Sequence, residues 1–409
     1  MEATFATSIH IHNVRHLSDI AIPLSNDTRK NLLLTGKNGS GKTSVLRALV
    51  LHLKHISNTN HASQETCERQ LAYYKAQLEK QDDSEKGRRE KLDAKKQIDY
   101  WNNQLKMWTE GVTLDYTSLA LLQEKYQKGQ FVLAFFGDTR IIRVDTSNNI
   151  EKIELKPAYS IDDTPSKQLA KYLVNLKATQ AFANAEGNIE RANQIKVWFD
   201  NFEKILRNIY DDDSLTLEFN IENYHFSIRV PNREPFEFNT MSMGYAAIFD
   251  IIGDLVIRME AQKNYNLEGI VLIDEIETHL HVELQRKILP ILTELFPNLQ
   301  FIITTHSPFI LNSASNSVVY DLEKHTLVEN GLTNLPYDGI VEGYFESDKL
   351  SEELRNKFNL YAQLVKKDNL TDAEYAKIAE LEQYLDEVPD FLALDFATEY
   401  SRLKLEFDQ

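Results

Sequence analysis

The sequence predicts an α/β fold: a mixed sheet core around one glycine-rich turn, a helical hairpin inserted after that turn, and a helical extension at the end. Three observations carry this. Apolar runs at 31–35, 131–136, 271–273 and 299–305 read as strands buried on both faces. Between the first of them and a helical pattern beginning at Ser44 lies Gly36-Lys37-Asn38-Gly39-Ser40-Gly41-Lys42-Thr43, a full match to G-x-x-x-x-G-K-[ST]. Helix-period stretches at 46–108 and 164–210 separate the strand runs.

Composition sets the bounds. A chain of 409 residues with 42% hydrophobic and 26% charged side chains suits one large or two ordinary domains with a substantial core. No run reaches the roughly 20 apolar residues of a membrane span. The start, Met1-Glu2-Ala3-Thr4-Phe5-Ala6, lacks a basic region followed by an apolar one, so no secretory signal is expected. Cys67 is the single cysteine, which excludes an internal disulfide framework and fits a reducing cytoplasm. The net charge of −17 speaks against direct nucleic-acid binding without a local basic patch. Residues 341–409 hold 17 Asp/Glu against 8 Lys/Arg, a docking surface or a solvated face.

Taken in order, residues 5–35 alternate as strands through Ile9, Ile11, Val14, Ile20, Ile22 and Leu24. In the turn that follows, glycines let successive backbone N–H groups point inward as an anion nest at a helix N-terminus. Asn38, Gly39, Ser40, Gly41, Lys42, Thr43 and Ser44 are therefore the candidate phosphate contacts. Lys42 would reach the β- and γ-phosphates of a nucleoside triphosphate, and the Thr43 hydroxyl would ligate Mg²⁺. Next, Leu71, Tyr74, Leu78, Leu92, Ile98, Trp101 and Leu105 suggest an antiparallel helical hairpin, an ordinary pair of surface helices being the alternative. The Phe131–Phe136 strand is followed by Asp138, Arg140 and a further strand at 141–144. Leu169, Leu173, Leu176, Phe182, Ile195, Phe199 and Phe202 mark the helices of 164–210, closed by a turn at Asp211, and 215–219 and 224–230 return to strand alternation. No repeat of 20–50 residues occurs, so the chain is no solenoid.

The second half of the predicted site lies over two hundred residues later. The 271–275 run ends in Asp274 and Glu275. Asp274 would hold Mg²⁺ or its water, and Glu275 would orient and deprotonate an attacking water. The 299–305 run ends at His306, placed to hydrogen-bond a γ-phosphate or that water, or else merely satisfied in a turn. Ser242 and Gly244 open a helix and make a second anion-binding end, which one phosphate loop does not need but two facing copies do.

The order of phosphate loop, helical insertion, Ser242-Met243-Gly244-Tyr245 helix, Ile273-Asp274-Glu275-Ile276-Glu277-Thr278-His279-Leu280-His281 and Thr304-Thr305-His306-Ser307-Pro308 resembles ABC-type ATPases of the SMC and RecF-like branch. More narrowly it is similar to the stand-alone ATPases of prokaryotic anti-phage defence, of Septu or retron type. The resemblance covers most of 5–330. It implies an ABC-type head in which ATP and Mg²⁺ are sandwiched between two copies, Ser242 and Gly244 serving as the signature, Glu275 as base, His306 as switch histidine and 277–281 as the dimer-facing loop. Met243 stands where a glycine is usual and Val282 where a proline is, and the Mg²⁺-contacting glutamine loop has no clear counterpart beyond Asp138 and Arg140, so slow hydrolysis is expected. The expected parts are 1–55 and 131–340 as head, 56–130 as insertion and 341–409 as an acidic helical docking extension. No strand-borne Glu with an Asp-x-Asp pair follows Tyr337, and Asp386, Glu387 and Asp390 read as a solvated helix face, so no nuclease site is expected here. The resemblance therefore implies a homodimer or larger oligomer working with an effector in trans, an HNH-type nuclease, with nucleic acid reached through the complex. A RecF-like repair ATPase acting directly on DNA is the alternative; a transporter subunit or nucleotide kinase fits the 242–244 and 306 features less well.

Overall fold

The computed structural model describes residues 3–57, 62–80, 84–139, 149–231, 233–333, 340, 352–367, 369–386 and 394–407. The chain divides into two compact units, Met1–Asn334 and Leu335–Gln409.

The first unit is built on a six-stranded sheet. Its strands are β3 (Asn31–Thr35), β5 (Phe131–Phe136), β9 (Glu268–Ile273), β10 (Leu299–Thr304), β11 (Ser317–Asp321) and β12 (Thr326–Val328). The order is β12-β11-β3-β10-β9-β5, parallel except for the β11–β12 hairpin. Register explains the site. Ile303 of β10 lies beside Leu33 of β3 and Ile273 of β9, so the carboxyl ends of three neighbouring strands finish at one level. Ligands of open parallel sheets bind at that edge. Apart from Glu268 at the start of β9 these strands are buried throughout, and α1 (Lys42–Ser57) packs Val45, Leu46, Leu49 and Leu53 beneath them. Each such side chain, fully buried, contributes about 1.5–3 kcal/mol.

A second, antiparallel sheet joins β1 (Ala6–Val14) to β2 (Leu17–Pro23) on one side and β4 (Val112–Tyr116) on the other. The expected insertion of 56–130 takes in 112–127, yet β4 pairs with β1 and α4 (Leu119–Gln127) packs on α1. The hairpin itself is α2 (Gln64–Lys80) against α3 (Glu85–Thr109), capped at Ser84. Its seam on α3 is 87, 91, 94, 98, 101, 105 and 108, spaced alternately four and three. Leu92 falls off that spacing and is 56% exposed, contrary to the expectation that it packs. Phe182 is likewise outside. In α5 (Leu169–Ala185) the inward stripe runs Leu173, Leu176, Ala183, leaving Phe182 62% exposed. α6 (Ile189–Tyr210) follows and ends on Asp211 in a left-handed conformation. A third sheet, β6 (Thr216–Phe219), β7 (Phe226–Arg229) and β8 (Phe236–Glu237), leads to α7 (Met243–Glu260). After β9 come α8 (Val282–Leu295) and, beyond β10, α9 (Pro308–Ser313). The expected strand at 141–144 and Arg140 lie outside the described residues. No described helix is long and apolar enough to cross a membrane.

The second unit contains helices Glu352–Val365, Asp372–Asp386 and Leu394–Phe407 around Tyr361, Ile378, Leu381, Leu385, Tyr400 and Leu403. Asp386 is engaged by Lys404 at 2.8 and 2.9 Å and by the Tyr400 hydroxyl at 2.8 Å. Glu387 and Asp390 lie outside the described residues.

Candidate functional site

The loop between β3 and α1 holds its shape by backbone conformations that side chains disfavour. Gly36 and Gly41 have φ of +130° and +98°. A Cβ on Gly36 would come within 2.9 Å of Ser40 Oγ, and one on Gly41 within 2.9 Å of Leu17 Cδ1, so a substitution at either position must displace a neighbouring side chain as well as strain the backbone. Asn38 and Gly39 form the exposed tip, Ser40 and Gly41 are buried, and Thr43 and Ser44 are half-buried at the helix start. Lys42 is 5% exposed and curls back, donating to the carbonyls of Gly36 at 2.8 Å and Lys37 at 3.0 Å. Those are weak neutral acceptors for an ammonium, and a phosphate oxygen would replace them readily.

The neighbouring strands bring the acids. Asp274, at the end of β9, is 1% exposed. Its backbone N–H donates to Phe136 O at 2.8 Å, tying β9 to β5. Its Oδ1 accepts the Thr304 hydroxyl at 2.6 Å and the Thr43 hydroxyl at 3.3 Å, so one carboxylate oxygen meets the loop's hydroxyl directly. Thr304 Oγ1 also accepts the Glu275 N–H at 2.7 Å, which fixes Glu275 in its left-handed conformation, φ +44°. Glu275 thereby leaves the strand line and lies in the field of Lys42. Glu277 accepts the His306 N–H through Oε1, while its Oε2 is buried without a hydrogen-bond partner among the described residues.

The charges are coupled. Burial lowers the Lys42 pKa, opposed by Glu275, Glu277, Asp274 and Asp321 in that order. Burial, then Lys42, lowers His306, which favours the neutral imidazole, able to donate on one nitrogen and accept on the other. Among the described residues no three His, Cys, Asp or Glu side chains could hold a metal by themselves. Mg²⁺ does not require that: one or two carboxylates, a hydroxyl, waters and phosphate oxygens suffice, and Thr43 with Asp274 fits.

Lys42, Thr43, Asp274, Glu275 and His306 therefore come together at three strand ends. Ser242 and Gly244 do not join them. Ser242 is exposed, its side chain making no cap bond at the start of α7, and a Cβ on Gly244 would sit 3.0 Å from His279 O, so this helix end rests on the 277–281 loop of its own chain. Asp138 Oδ1 accepts the N–H of Thr139 at 2.9 Å. Sequence reading gave no role to Thr304 or to Asp321, which ends the strand beside β3 with Oδ1 held by the N–H groups of Glu323 and Lys324 at 2.8 and 3.0 Å. The available signal was a polar side chain closing an otherwise apolar strand.

The chain is similar to several known proteins. Residues 136–312 match the family model described as "AAA domain, putative AbiEii toxin, Type IV TA system". The Septu protein PtuA of Bacillus mycoides (strain KBAB4) is 25% identical over 343 residues, 80% of this chain and 41% of that protein. The Retron Vc95 probable ATPase of Vibrio cholerae serotype O1 biovar El Tor is 44% identical over 75 residues, 18% of this chain and 15% of that one. The matched parts thus span less than half the length of these relatives. An SmcHead bound to the C-winged helix domain of ScpA aligns over 78% of this chain and 94% of that one, with 11% identity and a TM-score of 0.38. Residues 136–312 thus resemble an AAA domain, and the chain is similar to a Septu protein and, over a short stretch, to a retron probable ATPase.

Proposed function

We propose that the chain is an ATPase that closes as a pair around ATP and through that closure controls an effector, an HNH-type nuclease, in anti-phage defence. The observation that supports it most is the convergence of Lys42, Thr43, Asp274, Glu275 and His306 on one sheet edge above a glycine loop. The effector and the defence role rest on similarity to Septu and retron proteins.

In this reading the loop N–H groups cradle the phosphates, and Lys42 exchanges the Gly36 and Lys37 carbonyls for phosphate oxygens. Glu275, aimed by Thr304, orients a water and takes its proton. His306, neutral, hydrogen-bonds that water or the γ-phosphate. Mg²⁺ at Thr43 and Asp274 would offset charge on the β- and γ-phosphate oxygens. Ser242, exposed at its helix start, serves the phosphate of a second copy. Differential contact of ATP with open and closed pairs then supplies the switch.

A mixing experiment tests the composite site. Lys42→Ala and Ser242→Arg should each be inactive alone. Combined, they form heterodimers with one site defective on both sides and one intact, so turnover should return. No recovery on mixing would sink the shared-site reading. Lys42→Ala should also weaken ATP binding by about 30-fold or more, as expected when a buried charged partner is truncated.

A further inference from the structure

Away from the strand-end site, α6, the last turns of α7 and the end of α8 enclose a cavity of about 300 Å³. That is the lower end of small-molecule sites, about 300–1,000 Å³. Trp198, Phe202, Ile205, Tyr265 and Phe296 form its walls, and exposed Lys204 stands at its rim, without an ion pair to any described carboxylate. Trp198 and Phe202 stack with centroids 5.3 Å apart and planes 13° from parallel.

Two of these walls are fixed from behind by one carboxylate. Glu260 is 8% exposed, and its Oε2 accepts the Trp198 indole N–H at 3.0 Å and the Tyr265 hydroxyl. Its Oε1 accepts the Tyr172 hydroxyl at 2.7 Å. Burying a carboxylate among neutral ring donors is costly, and helix packing alone would be served better by an apolar residue. What the arrangement achieves is to hold the Trp198 and Tyr265 rings in one geometry along the cavity wall, the indole N–H and the phenol oxygen meeting each other and Glu260. Walls fixed in advance lower the ordering cost of binding. Aromatic faces and edges favour a flat ring, offset-stacked or edge-on. The ammonium at the rim favours an anion on that ring's substituent.

We infer that this cavity binds a small aromatic carboxylate, its ring among Trp198, Phe202 and Tyr265 and its carboxylate at Lys204. The inference is independent of the nucleotide reading, since none of these residues lies at the strand ends.

Indole-3-acetate is the probe and indole-3-acetamide its uncharged counterpart, each titrated into the full chain by isothermal calorimetry. The acid should bind saturably at one site, with the amide about fivefold weaker, the contribution of one exposed ion pair. Lys204→Ala should erase that difference by weakening the acid alone. Ile205→Trp, which fills the cavity, should abolish binding of both; Asn208→Trp, placed at the rim, repeats the test if the first variant melts early by circular dichroism. Absence of saturable binding at millimolar acid, or wild-type affinity in a folded filled variant, overturns the site. Equal affinity for acid and amide overturns the carboxylate preference.

Discussion

Asp274 and Asp386 each close a regular element, and each is followed in the sequence by a glutamate, yet the molecule uses them differently. Asp274 is almost wholly buried, and the hydrogen bonds on its Oδ1 come from two hydroxyls, one of them on the phosphate loop. Asp386 has a side chain 53% exposed and is held by Lys404, which lowers its pKa ahead of Tyr400 and lets burial count for little. Asp274 takes its hydrogen bonds on Oδ1 from hydroxyls and feels Lys42 through space, whereas Asp386 is in direct contact with a lysine at 2.8 Å. The lesson is that acidity in the sequence says little until burial and donors are known.

Four measurements break or sharpen that contrast. Glu275→Gln keeps the volume and the backbone N–H to Thr304 while removing the base. Turnover should fall by about 10²–10⁴-fold with ATP affinity retained; an unchanged single-turnover rate would remove Glu275 as base. The rule that burial governs titration extends to His52, whose pKa is lowered to about 4 by burial first and then by His55 and His12, against Asp115. Folding therefore binds fewer protons than unfolding between about 6.5 and 4, and stability should be lost as pH falls through that window, by up to about 3 kcal/mol. His52→Gln, which can still accept the Leu114 N–H, should flatten the pH profile of urea midpoints; an unaltered slope would assign the loss to other groups. Thr304→Val should cost about 1–3 kcal/mol because it removes one donor from Asp274 and the side-chain acceptor of the Glu275 N–H, and it should slow turnover as well. A stability loss with normal turnover would make Thr304 structural only. Asp386→Asn should cost under about 1 kcal/mol and leave turnover intact; a large loss of activity would mean the second unit takes part in catalysis.

The glycine loop was legible because its pattern sits between a strand and a helix, and each flank can be checked by periodicity. Asp274, Glu275 and His306 were legible as polar residues ending apolar runs. Thr304 was not, since its role is to bridge two neighbours in space across 29 and 30 positions of sequence. β4 was missed for the same reason: Val112–Tyr116 is a strand because β1 is there to pair with it. Leu92 and Phe182 show the opposite error. Counting apolar residues overstates a stripe unless the three-and-four spacing is kept, and each of them sits one step off it.

The α2–α3 hairpin has a mechanical consequence. α3 is 25 residues, about 37 Å of stiff rod, and its last turn carries Trp108, packed edge-on to His55 at 4.9 Å. His55 lies on the same helix that begins at Lys42. The rod is thus geared to the phosphate-loop helix through this last turn. A tilt of about 10° at that root would carry the far end through about 6 Å, roughly one helical turn. A displacement too small to matter between two strands becomes, at the end of such an arm, the difference between reaching a neighbour and missing it.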